Sequence, residues 1–576
     1  MSENPATPER GDLTPERRRL LELMLEERRR RRSLRTRVLP RGEDEPLELS
    51  FAQQRLWFIQ QLQPGVAAYN IPSAVRLTGP LDVAVLDRAI QEIVRRHETL
   101  RTRFGFEDGR PVPVIAAEHR VPLEVEDLTA GRGPEEAAAE AQRKVDTLAR
   151  RPYDLAADDL LRVHLLKVGE DDHVLLVVLH HIVSDTWTTG VFLREVAALY
   201  GAFAQGRPSP LPELALQYSD YASWQRRLVR EEGLESEVAY WKERLSHAPP
   251  LLELPTDRPR PPVQSFRGGR EMLLLPKSLV AALKELGGSE DASLFMVLLA
   301  GFQTLLHRYT GQTDIPVGSP IANRDRVELE GMIGLFVNTL VLRSDLSGDP
   351  TFRELLRQVR ETSLGAFAHK ELPFEKVVEE LDLDRDVGRN PLFQVLFAFQ
   401  NVPLPALEAQ GLTLTRYEFN ESTSRLDLEL DLQEMPYGFV GWIGYNADLF
   451  DGATVARMTA HYVRLLEAAA ADADRPLSAV PLLDEADRRQ VVAGWNATAR
   501  EYAGPEVLTA RLAAQAAATP EATALICAEE RPTYADFEAR VCRLARHLGR
   551  LGIGPESRVG VFAERGVEMV EAIHAV

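Results

Sequence analysis

His180 and His181 are adjacent, and Asp185 follows four residues after His181. A neutral imidazole is the side chain best suited to accept a proton near pH 7, and a nearby carboxylate can hold the loop that carries it. The residues ahead of the pair, Val174-Leu175-Leu176-Val177-Val178-Leu179, form a continuous apolar run of strand length and β-branched content. Such a run predicts a central strand buried on both faces. Histidines at the end of a buried strand are fixed by the strand and reached through the loop. Adjacent side chains of an extended chain point to opposite faces, so only one ring can face a given cleft. The other ring then packs into the core, and alternation by itself leaves open which of the two it is. Cysteine chemistry is excluded over most of the chain, because the two cysteines are Cys527 and Cys542. A disulfide framework and a cysteine zinc cluster are excluded with it, and no metal site is expected.

The elements that must position these residues belong to an ordinary globular sequence. Its 576 residues exceed one compact core, 44% are hydrophobic and 27% are charged. A formal charge of −19 argues against a nucleic-acid partner, with Arg28 to Arg32 a local exception. No apolar run approaches the roughly 18–20 residues of a membrane span. The polar start from Met1 to Arg10 is unlike a signal peptide, which predicts a cytoplasmic protein without a membrane partner.

Residues 1–46 differ in composition from the rest of the chain. Thr14-Pro15-Glu16 reads as a helix start, with an apolar stripe of Leu20, Leu21, Met24 and Leu25, and is either a solvated leader helix or a docking element. Beyond it the pattern is mixed α/β. Val83 to Arg95 has helical spacing, and Asp427 to Leu432 alternates with period two. Residues 475–503 read as a linker with a turn at Trp495-Asn496, after which a new α/β unit begins.

The stretch His180-His181-Ile182-Val183-Ser184-Asp185-Thr186-Trp187 resembles the core motif of nonribosomal peptide synthetase condensation domains, His-His-x-x-x-Asp-Gly-Trp. Six further segments resemble the same family in order. They are Ser50 to Trp57, Arg96 to Phe104, Tyr218 to Trp224, Ile333 to Thr339, Leu372 to Glu375, and Arg385-Asp386 with Arg389 to Leu392. Leu62-Gln63-Pro64-Gly65 followed by Tyr69-Asn70-Ile71-Pro72 is similar to the subtype joining an L donor to an L acceptor. Pro532 to Phe537 and Val559 to Phe562 resemble the opening of an adenylation domain, whose phosphate loop and substrate pocket lie beyond Val576.

The resemblance implies an α/β fold of two chloramphenicol acetyltransferase-like lobes, a pseudo-dimer with a central tunnel, plus a partial adenylation domain. The expected segments are a leader at 1–46, an N-lobe at 47–225, a C-lobe at 226–474, a linker at 475–503 and the adenylation start at 504–576. It implies a donor carrier upstream, placed by the start at Met1 on a separate polypeptide, and an acceptor carrier downstream. The phosphopantetheine arms arrive on those carriers, and no cofactor is bound directly. The acceptor amine attacks the donor thioester, with His181 as proton acceptor or as stabiliser of the tetrahedral intermediate. His180 is then structural, Asp185 holds the loop against Arg324, and Arg324, Asn338, Trp187 and Thr186 either line the tunnel or are structural.

Thr186 stands where the family has glycine. A β-branched residue is strained at positive φ, and its bulk beside His181 would either narrow the acceptor channel or weaken catalysis, or have no effect if φ is ordinary. With Trp187 and Gly190 in place, retained activity is the favoured reading. Four other readings are disfavoured. A free-standing coenzyme A acyltransferase would not run into an adenylation start, and an epimerization domain would not precede one. A heterocyclization domain would carry paired aspartates in place of the histidines. A scaffold that only recruits other proteins has no need of His181 and Asp185, although Thr186 speaks for it.

Overall fold

In the computed structural model the described residues are 37–42, 44–232, 234–382, 390–400, 407–409, 411–419, 423–435, 437–501 and 507–576. The expected leader helix, and Arg385, Asp386 and Arg389 of the last motif, lie outside them. The chain divides into two compact units, one ending at Leu482 and the other running Leu483–Val576.

The first unit is built on two six-stranded sheets. Its N-terminal strands are β1 (Asn70–Thr78), β4 (Leu123–Asp127), β5 (Leu161–Gly169) and β6 (Asp172–His180), with the separate ribbon β2 (Thr102–Glu107) and β3 (Arg110–Ile115). The C-terminal strands are β7 (Gly268–Pro276), β8 (Asp314–Ile321), β9 (Asn338–Asp345), β10 (Val395–Gln400), β13 (Leu428–Met435) and β14 (Gly438–Asn446). Between β10 and β13 in sequence come β11 (Leu407–Ala409) and β12 (Leu412–Arg416).

The apolar run is the strand β6, between β1 and β5, and His173 through His180 are all buried. The period-two segment is β13, where Leu428, Leu430 and Leu432 are core residues. The helix Val83–Arg96 starts at Asp82, whose carboxylate accepts from the backbone N–H groups of Ala84 and Val85. Leu86, Ile90, Ile93 and Val94 are its buried face.

The two-lobed α/β architecture is as expected, but the segment limits need correction. The helix Tyr218–Glu232 runs unbroken across the expected boundary at 225/226. Strands β11 and β12, from the second half of the chain, belong to the first sheet, whose order is β11-β12-β1-β6-β5-β4. There β12 pairs antiparallel with β1, from Val75 opposite Arg416 to Thr78 opposite Thr413, and covers what would otherwise be an open strand edge. The first unit also continues past 474, because Leu477 and Val480 are buried and Arg308 donates to both of their carbonyls.

In the second unit the helix Tyr534–Arg550 follows Thr533, whose hydroxyl accepts from the Asp536 N–H while the Asp536 carboxylate reaches back. No helix of the described residues is long and apolar enough to cross a membrane.

Candidate active site

A cavity of about 1910 Å³ lies between the two sheets of the first unit. Pro72 and Ser73 of β1 line one side, Glu429 and Asp431 of β13 the other; His181 stands on the loop after β6, and Thr186 and Trp187 open the helix that follows it.

The loop places the two rings as the alternation requires. His180 is buried, and its Nδ1 accepts from the Ile182 N–H at 3.1 Å. Tyr153 stands edge-on to it, with ring centroids 5.8 Å apart. His181 begins a short 3-10 turn, its backbone N–H donating to the Tyr69 carbonyl at 2.8 Å. Its Nδ1 lies 2.7 Å from the Ser184 carbonyl oxygen. A carbonyl can only accept, so Nδ1 carries the proton and the Nε2 lone pair is available to the cavity. Burial pushes the pKa of His181 down to about 4, and the positive charge of Arg425 adds to the effect. Burial likewise pushes His180 down to about 3. Both rings are therefore neutral at pH 7.

Asp185 caps the helix Thr186–Phe203. Its Oδ1 accepts from the Thr188 N–H and hydroxyl, each at 2.9 Å, and its Oδ2 from the Phe336 N–H at 3.1 Å. One nitrogen of Arg324 reaches both oxygens, at 3.0 and 3.1 Å. The other terminal nitrogen of Arg324 donates to the carbonyls of Leu329 and Met332, each at 2.6 Å, and Phe336 packs against the guanidinium. Burial pulls the Arg324 pKa below its usual value, with Asp185 opposing. Asp185 is thus saturated by structural partners, and its work is to fix the loop.

Trp187 donates from Nε1 to the Glu330 carbonyl at 2.9 Å, a second tie between the loop and the segment after Arg324. Of the two roles expected for Asn338, the structure shows the structural one, because the residue does not line the cavity. Its amide donates to the carbonyls of Lys370 and Leu372, and its oxygen accepts from Thr339 and Phe374. Strand alternation turns it inward while its neighbours Val337 and Thr339 line the cavity. At Thr186 the structure shows the ordinary-φ alternative. Thr186 is the first residue of a helix, is not among the positive-φ residues, and projects into the cavity.

Several residues hold the loop in ways the motif pattern did not foretell. Gln53 donates to the Ile182 carbonyl at 3.0 Å while its oxygen accepts from Ser50 in a capping box. Tyr218 donates to the Leu335 carbonyl at 2.7 Å and lies against Gly334, where an added Cβ would come 2.1 Å from its ring. The Ile333 N–H meets His97 Nδ1 at 3.3 Å, and His97 Nε2 faces Glu195 at 3.0 Å. Arg55 pairs with Glu375 at 3.0 Å across the cavity. Thr188, three residues after Asp185, carried a capping signal visible in the sequence. Tertiary partners such as Leu335 left none.

The family described as Condensation domain matches residues 43–492, and that described as AMP-binding enzyme matches residues 512–576. A linear gramicidin synthase of Brevibacillus parabrevis is 45% identical over 538 residues, 92% of this chain and 7% of that protein. Chondramide synthase of Chondromyces crocatus is 42% identical over 543 residues, 94% of this chain and 14% of its own length. The chain therefore spans a small fraction of these relatives. Among solved structures, the X-domain from teicoplanin biosynthesis is 31% identical, with a TM-score of 0.72 over 78% of this chain and all of that one. A four-domain nonribosomal peptide synthetase, holo-AB3403 bound to AMP and glycine, superposes with a TM-score of 0.81 over 94% of this chain and 41% of its own, a likeness of fold at 24% identity.

Proposed function

Because this chain belongs to the condensation-domain family of nonribosomal peptide synthetases, followed by the start of an AMP-binding domain, we propose that it forms a peptide bond between two carrier-bound substrates. The acceptor's α-amine attacks the thioester carbonyl of the donor, and the product is a peptide one residue longer on the acceptor carrier. The observation that carries this reading is His181. Its Nδ1–H is held by the Ser184 carbonyl and its neutral Nε2 is turned to the cavity, the form needed to take a proton from the attacking nitrogen. His180 and Asp185 support it from behind. Both pantetheine thioesters arrive on carriers, and holding the two reactants in one cavity removes much of the entropic barrier. The Leu62 to Gly65 and Tyr69 to Pro72 pattern supports an L-configured donor.

The test is peptide transfer between loaded donor and acceptor carriers, with the chain and its His181→Ala variant. The expected result is transfer by the first and a loss of at least about 100-fold in the second, the lower end for a general base. Carrier binding without transfer by the unaltered chain, across several substrate pairs, would favour the scaffold reading.

A further inference from the structure

The cavity holds a cation that the mechanism above does not use. Arg425 lies just ahead of β13, and the backbone there is pinned from two sides. The Ser424 N–H donates to Phe266 O at 3.0 Å and the Asp427 N–H to Gln394 O at 2.9 Å. Arg260 pairs with Asp427, and the Gln264 amide donates to the Arg425 carbonyl at 3.2 Å. From this fixed base the Arg425 side chain enters the same cavity as His181. Its guanidinium stands 5.8 Å from the centroid of Tyr69, whose carbonyl holds the His181 N–H.

Three other arginines that line the cavity are engaged. Arg55 pairs with Glu375, Arg416 with Glu418, and Arg226 donates to Leu49 O and the Gln54 side chain. Among the described residues Arg425 makes no ion pair and no side-chain hydrogen bond, and its guanidinium offers only donors. A cation beside a neutral base, with no counter-ion among the described residues, suits an oxygen on which negative charge develops during the reaction.

We propose that Arg425 is a second catalytic side chain, whose guanidinium stabilises the oxyanion formed when the acceptor amine adds to the donor thioester carbonyl. This rests on the transferase reading above. In that step the amine lone pair forms the C–N bond, the carbonyl π pair moves to oxygen, and His181 Nε2 accepts one proton from nitrogen. On collapse the C=O bond returns, the C–S bond breaks, and the proton passes to the departing thiolate, giving amide and thiol. The charged groups facing His181 are Asp185 from its own loop and Arg425; His180 is neutral and Arg324 is committed to Asp185. Removing the guanidinium should therefore also raise the pKa of His181.

The experiment compares the unaltered chain with Arg425→Gln and Arg425→Lys in carrier-to-carrier transfer, using substrates with and without acidic side chains. Arg425→Gln should lose about 100- to 1000-fold in kcat, the scale of one oxyanion donor, with KM little changed. The lysine variant should recover most of the loss. In Arg425→Gln the acid limb of the rate profile should move toward the ordinary imidazole value of about 6.5. A loss confined to KM, or to substrates with an acidic side chain, would overturn the proposal and make Arg425 a side-chain reader. Absence of transfer by the unaltered chain would instead sink the transferase reading. NMR titration of His181 with and without Arg425 then decides the inference alone, since an unmoved pKa rules out a cation at the reaction centre.

Discussion

One nitrogen of Arg324 lies 3.0 and 3.1 Å from the two carboxylate oxygens of Asp185, joining segments 139 residues apart in the chain. Asp185 ends the loop that carries His181, and Arg324 begins the segment whose backbone groups close over the carboxylate. The pair therefore locks the reactive loop to the second half of the molecule.

Because both side chains are almost wholly buried, Arg324→Met leaves Asp185 with an uncompensated charge. The expected loss of stability is about 3–5 kcal/mol, the range for breaking a buried pair from one side. The double variant Asp185→Asn with Arg324→Met should recover a substantial part, since no buried charge then remains. Urea unfolding of the three proteins measures both. A loss below about 1 kcal/mol in Arg324→Met would mean that water replaces the guanidinium at little cost.

At Thr186 the prediction is tolerance. The residue opens a helix with ordinary backbone geometry and a side chain in open cavity space. Thr186→Gly should cost no more than about 1 kcal/mol, the penalty for glycine in a helix, and leave transfer within a few-fold. Thr186→Phe fills space beside His181 and should raise KM for the tethered substrate more than it lowers kcat. A large gain in kcat for the glycine variant would show that the threonine obstructs the reaction itself.

What could be read from the sequence divides along physical lines. The strand β6, the split of the two histidines between core and cavity, and the leucine face of β13 follow from local periodicity, which one segment carries by itself. The Asp185–Arg324 pair was legible because a buried carboxylate demands a cation. The crossing of β12 into the first sheet was not, since strand partners hundreds of residues apart leave no mark in local spacing. The sequence leaves Asn338 between two roles for a related reason. A polar residue between two cavity-lining neighbours looks equally suited to bind substrate or to staple Lys370, Leu372 and Phe374, and only alternation in the folded strand decides. Arg425 carries no local signal, because its place beside His181 arises only when β13 and β6 face one cavity.

The two histidines also set a pH dependence of stability that separates the structural ring from the reactive one. Burial holds His180 at about 3 and His181 at about 4, whereas in the unfolded chain each titrates near about 6.5. Above that value neither ring carries a proton in either state, and they add no pH dependence. As pH falls from about 6.5 toward 4, the unfolded chain binds protons at both rings that the folded chain refuses, so stability falls with falling pH. Each ring contributes at most about 1.4 kcal/mol per pH unit within that window. His180→Asn keeps an oxygen able to accept from the Ile182 N–H, as Nδ1 does, but cannot titrate. Urea unfolding at pH 7, 6 and 5 should show the unaltered chain losing stability more steeply than His180→Asn, by up to one proton's worth of slope at the acid end. Other titrating groups act equally on both proteins, so the difference isolates His180. Equal slopes would mean that His180 is protonated in the folded chain, and that a structural ring behind His181 carries charge into the site.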